Sequence, residues 1–218
     1  EKWRAHVAGY TEYKMASQIA PGGAYLEFGA SYHMHGYSRT TCSLPGLIAA
    51  SATNVARLYQ SYHRPDWDYV MNLLTPVDSR YGSRLLPGLA NAGPGQIGHL
   101  AEAAGSFARV DPAFASALTW AWQENGAPKP ENPWIVRADI QPAPQALTSR
   151  VFPGFGAVLR AHQGPNETYL LLRSGFDWSH WYIDQGHMIL LSRGAVLLPY
   201  QPYAYWDSPQ KAELDLYN

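Results

Sequence analysis

Two short stretches concentrate the side chains able to move protons. SGFDWSHWYIDQGHMILL, residues 174–191, holds two Trp, two His, two Asp and a Tyr, in a chain with only eight His and eight Trp. AYLEFGASYHMHGYSRTT, residues 24–41, adds Glu27, Tyr32, His33, His35, Tyr37 and Arg39. His33 and His35 alternate as metal ligands on a strand would, yet two ligands do not make a site, and spacing names no third. The same His and Tyr side chains would also serve by bonding loop carbonyls. A third reading is acid–base work by a Tyr–His pair. A phenol with an ordinary pKa of about 10 is a poor base at neutral pH, but a cation such as Arg39 beside Tyr37 favours the phenolate. In the later stretch, a tight turn would let Asp184 orient the ring of His180 and fix its tautomer. The plainer reading of that stretch makes its Trp residues core and its polar groups turn formers.

The elements that must position these stretches change period midway. The first half reads as helices: Trp3 to Ile19, then Ser43 to Tyr62 with Leu47, Ile48, Ser51, Val55, Leu58, Tyr59 and Tyr62 on one face, then Asp66 to Leu74. The Gly- and Pro-rich SRYGSRLLPGLANAGPG reads as a loop. A small-residue helix covers about Gln96 to Ala108, and DPAFASALTWAWQENG carries its own punctuation: Asp111 as cap, Pro112 in the first turn, Gly126 as stop. From Val151 the pattern becomes short β-type runs: FPGFGAVLRAH and ETYLLLRSG around QGPN, then HMILLSR and AVLLPY around Arg193 and Gly194. Helices followed by antiparallel strands imply an α+β chain: a helical portion over 1–126, a linker over 127–150 and a sheet portion over 151–218.

Composition narrows the function classes. With 218 residues, 46% of them hydrophobic, the chain can bury a sizeable core. The formal net charge is −1 and no basic run stands out, so neither nucleic acid nor a membrane surface is an expected partner. No apolar run approaches the roughly 20 residues of a membrane-spanning helix. The single cysteine, Cys42, excludes an internal disulfide framework and reads as a small buried residue. The N-terminus EKWRAHVAGY has neither an initiator Met nor a signal-peptide pattern, which points to processing, trimming or a longer parent chain. Aromatics make up 13% of the chain, a composition that suits sugar binding, where flat rings cover the apolar faces of pyranoses.

SGFDWSHWYIDQGHMILLSRGAVLLPY resembles a segment of the heparinase II/III-like polysaccharide lyases and their dermatan sulfate epimerase-like relatives, with Ser179, His180, Asp184 and Gln185 on the family pattern. GGAYLEFGASYHMHGYSRTT is similar to the segment that ends in the family's catalytic Tyr, here Tyr37, and LLTPVDSRYGSRLLPGLANAG looks like the loop between late toroid helices. The resemblance implies the C-terminal part of an incomplete (α/α) toroid followed by a β-sandwich-like antiparallel sheet, with the active site in the cleft between them. It implies β-elimination or epimerisation on a uronic-acid polysaccharide, with Tyr37 as base or acid and His180 at the reacting uronate or sharing the proton transfer. His33 and His35 join them as catalytic candidates. Glu27, Arg39, Trp178, Trp181, Tyr182 and Asp184 are candidates for holding an acidic polysaccharide or oligosaccharide. Tyr182 and Tyr200 stand where the family has metal ligands, so no metal or other cofactor is expected. Family habit implies secretion or the periplasm. The family's toroid is longer, which suggests as a further partner the missing remainder of a longer chain. Two other classes are a non-catalytic carbohydrate-binding protein on the same frame, and an α-toroid glycoside hydrolase using Glu27 and Asp184 as facing carboxylates.

Overall fold

A computed structural model describes residues 2–25, 55–89, 94–175 and 186–198. Helix α1 spans Lys2–Gln18. Helix α2, Val55–Leu58, passes without a break through a π-helical turn, Tyr59–His63, into α3, Arg64–Leu73. The sequence pattern predicts two separate helices here. The structure instead runs them together, with the π-helical turn, in which the Arg64 N–H bonds the Tyr59 carbonyl, placed immediately ahead of Pro65. Leu74 then leaves helical geometry at ψ 124, ahead of Pro76. Helices α4, His99–Phe107, and α5, Pro112–Glu124, follow. The cap foreseen for α5 is present: Asp111 Oδ1 accepts from the Phe114 N–H at 3.0 Å, and its Oδ2 accepts from the Tyr59 hydroxyl at 2.8 Å.

The stretch of linker composition after α5 contains neither helix nor strand, yet it packs closely. The Trp122 indole donates to the Pro128 carbonyl at 2.9 Å, and Glu102 accepts from both the backbone and the side-chain amide of Asn132. Small residues of α4 make room for it.

Strands β1 to β5 are Arg150–Phe152, Gly156–Ala161, Thr168–Arg173, Met188–Ser192 and Ala195–Leu198, an antiparallel sheet in the order β1-β2-β3-β4-β5. The chain is therefore α+β, as the change of period implies. FPGFGAVLRAH reads as one strand in the sequence; the structure divides it. Phe152 pairs with Gly156, so Pro153, Gly154 and Phe155 form a hairpin turn.

One face of the sheet packs on the helices. Along β3 burial alternates, turning Tyr169, Leu171 and Arg173 inward, and a single hydrophobic cluster joins Tyr69, Val70, Leu118, Phe155, Val158, Leu171 and Ile189. The last carbonyls of α3 have no intrahelical partner, and the sheet supplies one. Arg160 donates to the carbonyls of Asn72 at 2.7 Å and Leu74 at 2.5 Å, and the Tyr169 hydroxyl donates to that of Leu73 at 3.1 Å. Arg160 is held in turn by Glu167 at 2.5 Å, and Glu167 also accepts from Arg84 at 2.8 Å. A guanidinium at a helix C-terminus also complements the helix dipole. The outer face carries a row of adjacent leucines, Leu159, Leu170, Leu190 and Leu198. A second sheet facing it, which a sandwich requires, is not among the described residues.

Candidate functional site

All ten site candidates lie outside the described residues: Glu27, His33, His35, Tyr37 and Arg39 before Val55, and Trp178, His180, Trp181, Tyr182 and Asp184 before Gly186. Tyr200 lies outside them as well. What the structure brings together is the two points from which these segments depart, at Tyr25 and at Gly175.

The first root is built by the turn Pro21-Gly22-Gly23. Ala20 donates to the Ala24 carbonyl at 2.8 Å, Ile19 pairs with Tyr25, and the Gly22 N–H reaches the Pro153 carbonyl at 3.3 Å. Gly23 has φ +89, and a β-carbon there would lie 2.2 Å from the Pro65 carbonyl oxygen, so only glycine fits between this turn and the start of α3. The second root is the end of β3. The Ser174 N–H donates to the Phe155 carbonyl at 2.9 Å, and the Gly186 N–H donates to Arg173 at 2.8 Å, which pins both ends of the later segment. A β-carbon on Gly175 would lie 2.1 Å from the Gly154 carbonyl oxygen. Both roots thus rest on the same three-residue turn, one against Pro153 and the other against Gly154.

Beneath that turn is a rigid floor. The Tyr69 ring packs edge-on against Phe152 and Phe155, with centroids 5.2 and 5.0 Å apart. Arg173, 1% exposed, donates to the Phe155 carbonyl at 2.7 Å and lies over the Phe155 ring. Burial holds the Tyr69 phenol well above its ordinary pKa; Arg173 pulls it down and the buried Asp66 pushes it up, and burial prevails. Tyr69 is accordingly a neutral phenol at physiological pH. Asp66, Tyr69, Arg173 and His187 each take part in further interactions. Nearly two turns before Tyr69, burial pushes the His63 imidazole down to about 4, so it too is neutral at pH 7. Neither group is charged at pH 7. Among the described residues, no group of three His, Cys, Asp or Glu is arranged to hold a metal ion.

Sequence reasoning missed this floor, though a signal for part of it exists. In ETYLLLRSG the alternation that turns Tyr169 and Leu171 inward also turns Arg173 inward, and a charged residue in register with a core stripe marks a buried polar site. Asp66 carried no such mark, since it reads as a first-turn acidic residue of α3.

No protein-family model and no curated protein matches the chain. Solved structures do. Heparan sulfate lyase HepC from Pedobacter heparinus superposes with a TM-score of 0.65 at 16% identity over 99% of this chain and 31% of its own. A heparinase III, the BT4657 gene product, gives 0.63 at 13% identity over 95% and 30%, and a further heparinase III gives 0.58 at 15% over 88% and 29%. This chain spans under a third of the length of each. Its fold is that of one part of the heparinase III and heparan sulfate lyase structures.

Proposed function

We propose that the chain is part of a polysaccharide lyase that cleaves an acidic, uronate-containing polysaccharide by β-elimination. The observation that carries this reading is the fold likeness to heparan sulfate lyase and heparinase III over nearly the whole chain. It is supported by the convergence of the two segment roots on one turn, which favours the Tyr37 and His180 segments meeting at one cleft.

In that reaction a base removes the proton at C5 of the uronate, the C4–O bond to the leaving sugar breaks, a C4=C5 double bond forms, and the departing oxygen takes up a proton. The C5 proton is weakly acidic, so the carboxylate must be neutralised while the base acts. In this reading Tyr37 is the base or acid, its phenolate favoured by Arg39, and His180 shares the proton transfer or contacts the uronate. His33 and His35 are further candidates for the proton transfers. Trp178 and Trp181 offer platforms for sugar rings, while Glu27, Tyr182 and Asp184 bind hydroxyls. The helical portion belongs to a toroid, the acidic polymer lies between it and the sheet, no metal is used, and the site of action is the periplasm or outside the cell.

The test is ultraviolet absorbance of the unsaturated uronate while the folded chain is incubated with a panel of uronic-acid polysaccharides. Rising absorbance is expected, together with its abolition in Tyr37→Phe at unchanged thermal stability. Reducing ends without that absorbance would mean hydrolysis instead. Retention on a polysaccharide gel with neither product would mean a binding protein.

A further inference from the structure

At the opposite end of the sheet from the two roots, the β2–β3 and β4–β5 turns close on the loop after α3 and the end of α5. Between them is a concave pocket of about 390 Å³, within the range of small-molecule sites. Its lining combines the apolar Val77 and Pro165 with Arg84, Glu124, Ser79 and Arg193. The pocket is held in shape. The Ser79 N–H donates to the Gly194 carbonyl at 3.0 Å, tying the hairpin tip to the loop, while Arg84 is fixed by Glu124 at 3.2 Å, Glu167 at 2.8 Å and the Thr75 carbonyl at 2.9 Å.

Its charge is not balanced. Arg84 and Arg160 are compensated by Glu124 and Glu167, whereas Arg193, exposed at the hairpin tip, takes no part in these ion pairs. The backbone makes that residue notable. Ser192 pairs with Ala195, leaving a two-residue turn in which Arg193 has φ 51 and Gly194 φ 75, a geometry that suits Asn-Gly and disfavours a long side chain in first place. A long charged side chain in left-handed geometry beside a pocket points to a side-chain role.

We infer that this pocket is a second saccharide site, taking one acidic sugar unit whose carboxylate or sulfate meets Arg193. Its ring lies against Val77 and Pro165, and its hydroxyls bond Glu124 and Ser79. The choice of a sugar rests on the function proposed above; the pocket and the positive charge of Arg193 do not. The sheet is five to six residues long in its central strands, so the site is roughly 20 Å from the roots and holds polymer without entering the reaction.

The experiment is titration of the isotope-labelled chain with glucuronate, followed through the backbone amide signals of Val77, Ser79, Gly164 and Gly194. Saturating shifts are expected with glucuronate and much weaker ones with glucose, which lacks the carboxylate. Arg193→Asn removes the charge and suits the turn, so it folds, and it weakens glucuronate by about tenfold or more. Absence of shifts at these amides, equal shifts with glucose, or an unchanged titration in Arg193→Asn would overturn the site. A uronate oligosaccharide that displaces glucuronate identifies a unit within a polymer as the occupant, and one that does not leaves the free acidic sugar. Shifts in a chain that makes no unsaturated product would retain this site and remove the lyase reading; turnover without shifts would do the reverse.

Discussion

His63 shows how burial fixes a protonation state. Its imidazole is 1% exposed and is pushed down to about 4, against about 6.5 in an unfolded chain. The folded-state value is the lower one, so the stabilisation is complete above pH 6.5. It is lost as pH falls towards 4, because only the unfolded chain takes up the proton in that window. The difference corresponds to about 3 kcal/mol. Urea unfolding at neutral pH and near pH 4 should therefore show a larger acid loss in the wild type than in His63→Gln. Equal losses would mean that His63 keeps an ordinary pKa. Asp78, held below the usual carboxylate range by Arg80, adds a loss in the same direction at still lower pH, and the variant leaves that contribution in place.

The elements show which features the sequence made legible. Asp111, Pro112 and Gly126 bracket α5 because capping and termination are local chemistry, readable without knowledge of any distant residue. The hairpin across Arg193 and Gly194 was legible for the same reason. The break at Pro153 was written in the same local chemistry, since Pro-Gly forms turns and Gly154 takes φ 88, but reading FPGFG as one run passed over it. The candidate site divides likewise. Its ten candidates, chosen by residue type, lie outside the described residues, whereas the floor of Asp66, Tyr69 and Arg173 depends on partners far apart in the chain. The root at Gly175 supplies a test at this scale. A β-carbon there would strike the Gly154 carbonyl oxygen at 2.1 Å, displacing the start of the segment that carries His180. Gly175→Ala should lower turnover on a uronic-acid polysaccharide by about a hundredfold, as expected when a catalytic group moves by about 1 Å. Circular dichroism should still report a folded sheet. Full activity would separate that segment from the reaction.

Across the whole molecule, two kinds of contact divide the labour of folding. Every strand pairs with its neighbour in sequence, β1-β2-β3-β4-β5, so the sheet closes without the long-range loops that its docking requires. The ties that dock it on the helices span far more chain: 83 residues from Arg84 to Glu167, 86 from Leu74 to Arg160 and 96 from Leu73 to Tyr169. Closing such loops costs entropy before any bond repays it. The meander is therefore expected to form before it docks on the helices, with the arginine–glutamate network as a late lock. Glu167→Ala leaves Arg84 and Arg160 without their shared carboxylate and should destabilise the chain by about 3–5 kcal/mol in denaturant titrations. Stopped-flow measurements should show that loss almost wholly as faster unfolding, with refolding hardly changed. A comparable slowing of refolding would move the lock into the folding nucleus. An early sheet and a late lock also mean that, during folding, the inner face of Val158, Tyr169, Leu171, Ile189 and Leu191 forms before the helices cover it, and is the surface most in need of protection from self-association while the chain matures.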